Sequence, residues 1–209
     1  MRPAVAALPA SLALSVALLA LIALPALARA QSAEPGTSDD AATTAAWEAV
    51  ARGEAVALMR HALAPGTGDP AGFALGDCAT QRNLSDEGRA QARKIGARIA
   101  DALDDAPVEV FSSAWCRCLE TAGLLGLGEP TALAPLNSFF AGRGSRDEQT
   151  GALRRWIDER LAADDAPPAV LVTHQVNVSA LTGAGVASGE IVVVDAEDTV
   201  LARIATVAD

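Results

Sequence analysis

Two short apolar runs in the sequence each end in a histidine. Residues 54–61 read EAVALMRH and are followed at once by a segment rich in Gly and Pro, and residues 169–174 read AVLVTH. Short continuous apolar runs are typical of buried parallel strands, whose carboxyl ends meet at one edge of a sheet. His61 and His174 are the only two histidines in the chain. The pattern therefore predicts that they lie together at one sheet edge.

The remaining pattern alternates strands with helices. A helix is predicted from Ser85, a good N-cap, to Leu103, because apolar residues recur along one face. A strand over 108–111 follows, and then a helix capped by Ser113 and ended by Gly126. The later predicted elements are an edge strand 131–136, a helix carrying Leu153, Trp156, Ile157 and Leu161, a strand 169–173, a short helix 178–181 and a closing hairpin 191–204. This alternation predicts an α/β fold with a mostly parallel central sheet and helices on both faces.

Two polar, glycine-containing segments lie between these elements. The first covers residues 62–83 and follows His61 directly, and the second covers residues 137–147. A loop this long inside a compact domain is usually functional or disordered. Because the first loop begins at the end of a strand that carries a histidine, we predict that it is functional.

The first 30 residues are set apart by their composition. Arg2 precedes a long Ala/Leu/Val stretch, which is followed by Pro25 and by an Ala-Arg-Ala sequence that ends at Ala30. A charged start, an apolar middle and a small-residue cleavage site are the marks of a secretory signal peptide. We therefore expect residues 1–30 to be a signal peptide cleaved after Ala30. A retained membrane anchor is the alternative, since the apolar stretch approaches spanning length.

The rest of the chain is predicted to be a lead-in followed by one domain. Residues 31–44 are rich in Ser, Thr, Asp and Ala without periodicity, and we predict that they are flexible. A short helix is predicted over residues 44–52, with Gly53 as its stop. Residues 45–209 are long enough for one domain with its own core.

Export and charge limit the possible partners. Removal of residues 1–30 takes away two arginines and no acids, so the formal net charge of −10 becomes −12. Such a surface repels nucleic acid and anionic membranes. We therefore expect a periplasmic or secreted protein that binds no nucleic acid and has no stable membrane insertion after signal cleavage. Any affinity for phosphate must come from a local cluster of cations.

The three cysteines would lie in an oxidising compartment, where thiols tend to pair. Three is an odd number, so one bridge leaves a free thiol. Cys116 and Cys118 are two residues apart and point in different directions on a helix. We therefore expect a bridge from Cys78 to one of these two, which would tie the first loop to the start of a helix.

Two arginines accompany the histidines at the predicted sheet edge. Arg60 precedes His61, and Arg117 lies in the first turn of a helix directly beyond a strand end, where backbone N–H groups favour an anion. Guanidinium groups bind phosphate oxygens in pairs and stay charged at any working pH. A neutral imidazole can attack phosphorus, and a second can hold a transition-state oxygen. These groups indicate phosphoryl transfer that needs no metal and no cofactor.

The sequence around these groups resembles a known family. The matching motifs are Met59-Arg60-His61, Leu84-Ser85-Asp86-Glu87-Gly88-Arg89-Ala90-Gln91-Ala92, Ser112-Ser113 with Arg117 and Glu120-Thr121-Ala122, and Val172-Thr173-His174. In this order they resemble the motifs of the histidine phosphatase superfamily, and the resemblance extends from about Ala55 to the C-terminus. Together with the predicted signal peptide, it implies an exported bacterial branch of that superfamily. The resemblance implies a phosphoglycerate-mutase-like three-layer sandwich. It also implies that His61 is the nucleophile and that Arg60, Arg117 and His174 complete a phosphate pocket.

Two positions depart from the family's pattern. Ala62 stands where the family usually has a glycine after the histidine. The family's common glutamate, its general acid, lies between the second arginine and the second histidine, where this chain reads Leu136-Asn137-Ser138. Another branch has an aspartate directly after the second histidine, where this chain has Gln175.

Other residues are therefore candidates for the proton donor and for substrate binding. Asp77 in the first loop is the first choice for the general acid, with Asp147 and Glu148 in the second loop as alternatives. The candidates for substrate binding are Arg82, Asn137 and Gln175. Without an efficient acid, substrates with good leaving groups, such as a phosphohistidine or a phosphoanhydride, would be preferred.

Three functions follow from this pattern. The first is an exported phosphatase that hydrolyses a phosphomonoester or similar phosphoryl group of a small substrate through a phosphohistidine on His61. The second is a non-catalytic phosphate- or anion-binding module of the same fold that lacks an efficient acid. The third is a metallohydrolase with His61 and His174 as ligands, which the lack of metal-ligand spacing disfavours.

Overall fold

The computed structural model describes residues 35–206, which form a six-stranded sheet with five helices around it. The helices are α1 (Pro35–Ala51), α2 (Asp86–Ala102), α3 (Cys116–Leu124), α4 (Arg146–Leu161) and α5 (Gln175–Thr182). The strands are β1 (Ala55–Arg60), β2 (Glu109–Ser112), β3 (Thr131–Ala132), β4 (Ala169–Thr173), β5 (Ile191–Asp195) and β6 (Val200–Ile204). Single 3₁₀ turns cover Cys78–Thr80, Ala134–Leu136 and Phe140–Gly142.

The strand order in the sheet is β3-β2-β4-β1-β5-β6. The first four strands in this order are parallel to one another, whereas β5 is antiparallel to β1 and forms a hairpin with β6 at the edge. In the β1–β4 pair, Arg60 lies opposite Thr173. His61 and His174 follow these two residues, so the register delivers both histidines to the same edge of the sheet.

Both faces of the sheet are covered, because β1 is buried on either side. Met59 contributes to a core that it shares with residues of α1, α2 and α3. Leu58, its neighbour, contributes to a second core shared with residues of α4 and α5. Successive residues of a strand point to opposite faces, so an all-apolar strand needs helices on both. The predicted α/β fold with a mostly parallel sheet is confirmed.

The start of α2 is held against the chain segment that follows His61. The Ser85 hydroxyl caps the helix by accepting from the Gly88 N–H at 3.1 Å, and the Ser85 N–H donates to the carbonyl of Leu63 at 3.1 Å. A Cβ atom on Gly88 would lie only 2.0 Å from the carbonyl oxygen of Leu63. Glycine is therefore required for this approach, which anchors the first residues of the loop to the helix.

The first helix is longer than the sequence pattern predicts. It begins at Pro35, so residues 35–44, predicted as a flexible lead-in, are helical, and the helix predicted over 44–52 is only its second half. Proline suits a first turn because its missing N–H has no partner there, and the alanines that follow favour a helix. The predicted signal peptide and its cleavage site lie outside the described residues. Within residues 35–206, no helix combines the length and apolarity needed to cross a membrane.

Two further elements have different bounds from those predicted. The edge strand expected over 131–136 is only two residues long, because Pro135 takes the chain into a 3₁₀ turn instead of continuing the ladder. The helix expected over 178–181 begins at Gln175, immediately after His174. The second histidine therefore stands at the junction of a buried strand and a helix.

Candidate active site

The two histidines meet at the sheet edge. Their ring centroids are 5.6 Å apart and the rings are inclined by 71°. His61 is 2% exposed and His174 is 4% exposed, and Arg117, at 3% exposed, contacts both rings. At such burial the neighbouring protein groups, and not bulk water, decide which ring nitrogens carry protons.

His61 is held as a neutral ring with one defined lone pair. Its Nδ1 lies 2.8 Å from the carbonyl oxygen of Ala62, which can only accept, so Nδ1 carries the hydrogen. Its Nε2 lies 3.2 Å from Nε of Arg117, which can only donate, so Nε2 is unprotonated. Burial lowers the pKa of His61 to about 3, and the nearby arginines act in the same direction.

His174 carries its hydrogen on the opposite ring nitrogen. Its Nδ1 accepts from Nη2 of Arg117 at 3.3 Å, so Nε2 donates to the Ser113 hydroxyl at 2.9 Å. Ser113 in turn donates to Oδ1 of Asn137 at 3.2 Å. Burial, with Arg117 next, holds the pKa of His174 well below its usual value. The expectation that Ser113 caps α3 is wrong, because that helix begins after Trp115 without a side-chain cap and Ser113 instead orients His174.

Arg117 is anchored on its far side by a buried carboxylate. Its Nη1 lies 2.7 Å from Oδ1 of Asp69, and the two side chains are 4% and 5% exposed. Asp69 also accepts from the backbone N–H of Arg82 at 3.1 Å and from Nε1 of Trp115 at 3.2 Å. Burial alone would raise the pKa of Asp69, but these hydrogen bonds and the charge of Arg117 outweigh it and lower that pKa.

A cavity of about 240 Å³ opens beside these groups. Its charged or titratable lining residues are Arg60, His61, Arg82, Arg117 and His174, and its other lining residues within the described part of the chain are uncharged. The volume falls just below the roughly 300–1,000 Å³ of typical small-molecule sites. The cavity therefore suits an anion of phosphoryl size together with the adjoining part of a larger molecule.

The two outer arginines are fixed differently. Arg60 donates from Nη1 to the carbonyl of Val186 at 2.9 Å, and its buried Nε has no hydrogen-bond partner among the described residues. Arg82 donates to the backbone carbonyls of Ala64 and Gly68 and so holds the first loop. Burial lowers the pKa of both guanidiniums, with the charge of Arg117 adding to the effect. Arg60 thus brings to the cavity wall a guanidinium that keeps one unsatisfied donor.

The structure brings together most of the residues singled out from sequence. His61, Arg60, Arg117 and His174 line one cavity, as do the predicted substrate-binding residues Arg82 and Gln175. Asn137 does not line it. Its Oδ1 instead accepts from the Ser113 hydroxyl and, at 2.8 Å, from the N–H of Ala114, so it lies behind the site.

The carboxylates expected as proton donors lie elsewhere. Asp77 is exposed, and its side chain caps the 3₁₀ turn at Cys78–Thr80 by accepting from the N–H of Ala79 at 3.1 Å. Asp147 and Glu148 belong to the first turn of α4. None of the three lines the cavity, so the expected position of Asp77 in the pocket is wrong. A carboxylate next to a short turn or a helix start is satisfied by backbone N–H groups and need not face the site.

Asp69 is the site residue that sequence reasoning missed. It sits in a segment, Gly68-Asp69-Pro70, that reads as an ordinary turn. Nothing in that pattern indicates a partner almost fifty residues further along the chain. Trp115 donates to Asp69 and contacts His174 edge-on, with ring centroids 5.4 Å apart.

The first loop is fastened to α3 by a disulfide bond. Cys78 pairs with Cys116, and Cys118 is a free, buried thiol. The expected bridge from Cys78 is confirmed, and the structure selects the partner. Burial raises the pKa of Cys118 to about 12, so it stays protonated. The bridge and the Asp69–Arg117 ion pair both join the loop to the first turn of the helix that carries Arg117.

The substitution of alanine for glycine at residue 62 is accommodated. Ala62 does not have the left-handed backbone conformation that would demand glycine. Its N–H donates to the Thr121 hydroxyl at 3.1 Å, and that hydroxyl donates to the carbonyl of Arg117 at 2.7 Å. The residue after His61 is therefore tied to the same helix turn as the rest of the site.

The described residues contain no group of three or more His, Cys, Asp or Glu side chains placed to hold a metal ion. Arg117 occupies the lone pair of Nε2 in His61 and of Nδ1 in His174. A cation between the rings would have to displace this guanidinium. The residues present therefore fit an anion better than a metal.

The sequence model of the histidine phosphatase superfamily (branch 1) matches residues 56–139, which include His61 and Arg117 but not His174. The mycobacterial glucosyl-3-phosphoglycerate phosphatase in complex with VO3 superposes with a TM-score of 0.52 at 16% identity, covering 68% of this chain and 92% of that one. The protein histidine phosphatase SixA complexed with tungstate superposes with a TM-score of 0.50 at 15% identity, covering 73% of this chain and 97% of that one. Mycobacterial hydrolase 2 superposes with a TM-score of 0.50 at 17% identity, covering 67% of this chain and 81% of that one. No curated protein matches this sequence.

The fold and the site define an α/β protein whose sheet edge presents two neutral histidines and a cluster of arginines to a small cavity. At these identities the structural likenesses show the fold, and the family match adds the motifs around His61 and Arg117. The match over residues 56–139 confirms the resemblance to the histidine phosphatase superfamily that the motifs indicate.

Proposed function

We propose that this protein is an exported phosphatase that hydrolyses a phosphomonoester or similar phosphoryl group of a small substrate through a phosphohistidine on His61. One observation carries the proposal: His61, a neutral imidazole with an unprotonated Nε2, lines a cavity together with three arginines. A neutral imidazole is nucleophilic, and guanidiniums neutralise a phosphoryl group. The names of two proteins with the same fold, SixA and the mycobacterial enzyme, describe phosphatases and support it.

The first chemical step follows from these positions. When a phosphoryl group enters, its oxygens accept from the guanidiniums of Arg60, Arg82 and Arg117, and the N–H of Arg117 that held the lone pair of His61 turns to an oxygen instead. Nε2 then attacks phosphorus, a P–N bond forms, and the P–O bond to the leaving group breaks with the electron pair going to oxygen. Charge that spreads over the equatorial oxygens is met by guanidiniums already in place.

The second step returns the free enzyme. Water attacks the phosphorus of the phosphohistidine, the P–N bond breaks, and its electron pair returns to Nε2. The attacking water gives up one proton to solvent, and inorganic phosphate leaves. Because no carboxylate lines the cavity in the described part of the chain, neither step has a nearby carboxylic acid to help it. We therefore infer that the substrates carry leaving groups that depart without a proton, such as a phosphoanhydride, a phosphohistidine or an acidic alcohol.

The test is hydrolysis of p-nitrophenyl phosphate by the pure protein, together with trapping of the intermediate. Brief exposure to a ³²P-labelled substrate is expected to give an acid-labile label on one histidine. With only two histidines in the chain, peptide mapping decides between them. His61→Ala is expected to lose label and turnover, whereas Arg89→Gln, which removes a half-buried arginine on α2 that does not line the cavity, keeps both. A label on His174, or turnover by His61→Ala, contradicts the proposed nucleophile.

A second candidate is a non-catalytic phosphate- or anion-binding module of the same fold. The observation that favours it is the cavity without a carboxylate, in which Arg117 occupies the lone pair of the nucleophile. Isothermal titration with inorganic phosphate, run beside the hydrolysis assay, separates the two. Phosphate binding without turnover of aryl phosphates, anhydrides or phosphoramidates supports the module, and turnover rules it out.

Export is the remaining part of the proposal, and it rests on the composition of residues 1–30. The mature protein would carry a formal net charge of −12 in the periplasm or outside the cell. The full chain, expressed in a bacterium with an outer membrane, is expected in the periplasmic fraction or the medium with Gln31 as its first residue. N-terminal sequencing of the fractionated protein tests this, and an intact Met1 in the membrane fraction would instead indicate a retained anchor.

A further inference from the structure

Asp69 is the only carboxylate in the described part of the chain that forms an ion pair with an arginine of the cavity. It lies behind the cavity, on the side of Arg117 that faces away from the histidines. Its two oxygens receive three kinds of donor: the Arg82 backbone N–H, the Trp115 indole and the Arg117 guanidinium. A carboxylate that is 5% exposed and accepts this many hydrogen bonds is held in one orientation.

The fixed orientation of Asp69 determines how Arg117 contacts both histidines. A guanidinium is planar and its N–H groups point in fixed directions, so holding one edge sets the direction of the others. Here Nη1 is held by Asp69, while Nε points to His61 and Nη2 to His174. The carboxylate therefore aims two N–H groups at two ring nitrogens without touching either ring.

The charge of Asp69 has a second effect. Arg60, Arg82 and Arg117 line the cavity together, and both histidines are neutral. Without the carboxylate, Arg117 would be a buried cation beside two others, and it would turn toward any anion in the cavity. Because Asp69 is strongly hydrogen-bonded as an anion, it cannot serve as the proton donor that the cavity lacks.

We propose that Asp69 is a positioning residue of the phosphoryl-transfer site: it fixes Arg117 so that one guanidinium keeps the two imidazoles in opposite tautomers, with Nε2 of His61 free of a proton. This rests on the proposed function of the cavity. Asp69 contacts neither the rings nor the cavity, so its effect passes entirely through Arg117.

The test compares Asp69→Asn with a matched control. Asparagine keeps an oxygen for the Arg82 N–H but removes the charge that holds Arg117. Asp86→Asn makes the same chemical change in an Asp–Arg ion pair whose aspartate is 95% exposed. For p-nitrophenyl phosphate, we expect kcat of Asp69→Asn to fall on the order of 10²-fold, the cost of a misplaced group, with KM nearly unchanged because all three arginines remain. Asp86→Asn is expected to behave as wild type.

A spectroscopic measurement separates positioning from simple anchoring of the loop. Long-range ¹H–¹⁵N spectra of the imidazoles contain signals from only two rings, because the chain has only two histidines. In the wild type we expect one ring protonated at Nδ1 and the other at Nε2. In Asp69→Asn the Nε2 signal of His61 is expected to shift, and in Asp86→Asn both rings are expected to match the wild type.

Three results would overturn the proposal. These are a kcat for Asp69→Asn equal to that of the control, a lowered kcat with both imidazole spectra unchanged, and the same tautomer for both rings in the wild type. If Asp69→Asn does not fold, Asp69→Glu takes its place, since it keeps the charge but displaces the carboxylate, and a kcat equal to wild type then counts against the proposal. If the wild type hydrolyses no phosphate at all, the proposed function fails, whereas the substrate-free spectra still decide the role of Asp69.

Discussion

The guanidinium of Arg117 donates to His61 Nε2 at 3.2 Å and to His174 Nδ1 at 3.3 Å, so a single side chain joins the two histidines of the chain. The rings would otherwise be two separate buried bases at the ends of neighbouring strands. Joined in this way, they have complementary protonation, one at Nδ1 and one at Nε2, and neither is charged. This arrangement leads to expectations for pH dependence, substrate preference and stability.

The pH dependence of activity is expected to lack a histidine limb near neutrality. Because burial lowers the pKa of His61 to about 3, its nucleophilic neutral form persists well below pH 6.5. After correction for the substrate phosphate, whose second pKa is about 6, kcat/KM is expected to stay level from pH 7 to pH 5 and to fall only near pH 3. A half-maximal value between pH 6 and 7 would show that His61 titrates like an exposed histidine.

Stability is expected to fall over the same acidic range. Both histidines have lowered pKa values in the folded state, so below pH 6.5 the unfolded chain binds protons that the folded protein does not. The free energy of unfolding contributed by these neutral rings is therefore complete above pH 6.5 and is lost as the pH falls toward 3. Urea unfolding between pH 7.5 and 4 measures this, and His61→Gln is expected to show a shallower decline than the wild type. Equal slopes for the two proteins would contradict it.

The leaving group is expected to control the rate. No carboxylate lines the described cavity, so the departing oxygen must leave largely without a proton. General acids typically contribute about 10²–10⁴-fold, and we expect alkyl phosphates to be hydrolysed more slowly than nitrophenyl phosphates by about this factor. The measurement is kcat/KM across a series from nitrophenyl to phenyl to alkyl phosphates, with a phosphoramidate for comparison. Equal kcat/KM values for all esters in the series would show that a proton donor reaches the leaving group.

Phe140 is expected to select among leaving groups. It lines the cavity and is 46% exposed, so its ring is available to a bound molecule. Aromatic contacts contribute about 0.5–1.5 kcal/mol, and Phe140→Ala is therefore expected to raise KM for an aryl phosphate roughly two- to tenfold. KM for acetyl phosphate should not change. Leu75→Ala is the control, because Leu75 is an apolar residue of similar exposure, 53%, that does not line the cavity. A role for the ring would be contradicted if both variants raised KM for the aryl phosphate equally, or if Phe140→Ala raised KM equally for the aryl phosphate and for acetyl phosphate.

The disulfide bond is expected to support both stability and activity. Cys78 and Cys116 are 38 residues apart in sequence, and a bridge over such a loop contributes about 3–4 kcal/mol. Cys78→Ser with Cys116→Ser is expected to lower the free energy of unfolding by this amount and to lower kcat/KM, because the loop that carries Asp69 and Arg82 loses a tie to α3. Reductant should lower the free energy of unfolding and kcat/KM of the wild type to the values of the double variant, and it should leave both values of that variant unchanged. A further loss in the double variant would point to a different target of the reductant.

Much of the fold and part of the site could be predicted from local pattern. Runs such as residues 55–59 are apolar at every position, and only strands covered on both faces bury such a run. The motifs around His61, Arg117 and His174 stand at strand ends or helix starts, where chain direction alone predicts that they meet. The bounds of α1 and β3 were less predictable, because neither residues 35–44 nor residues 131–136 carry an apolar period.

The sequence by itself determined that two histidines and two arginines converge at one edge of a parallel sheet, because the apolar runs and the residues at their ends are local features of the chain. Only the tertiary structure decided which cysteine pairs with Cys78, that Asp77 points away, and that Asp69 holds Arg117. These contacts join residues distant in sequence within an irregular loop. Their geometry is set by packing and by hydrogen bonds to buried donors, which leave no periodic trace in the chain.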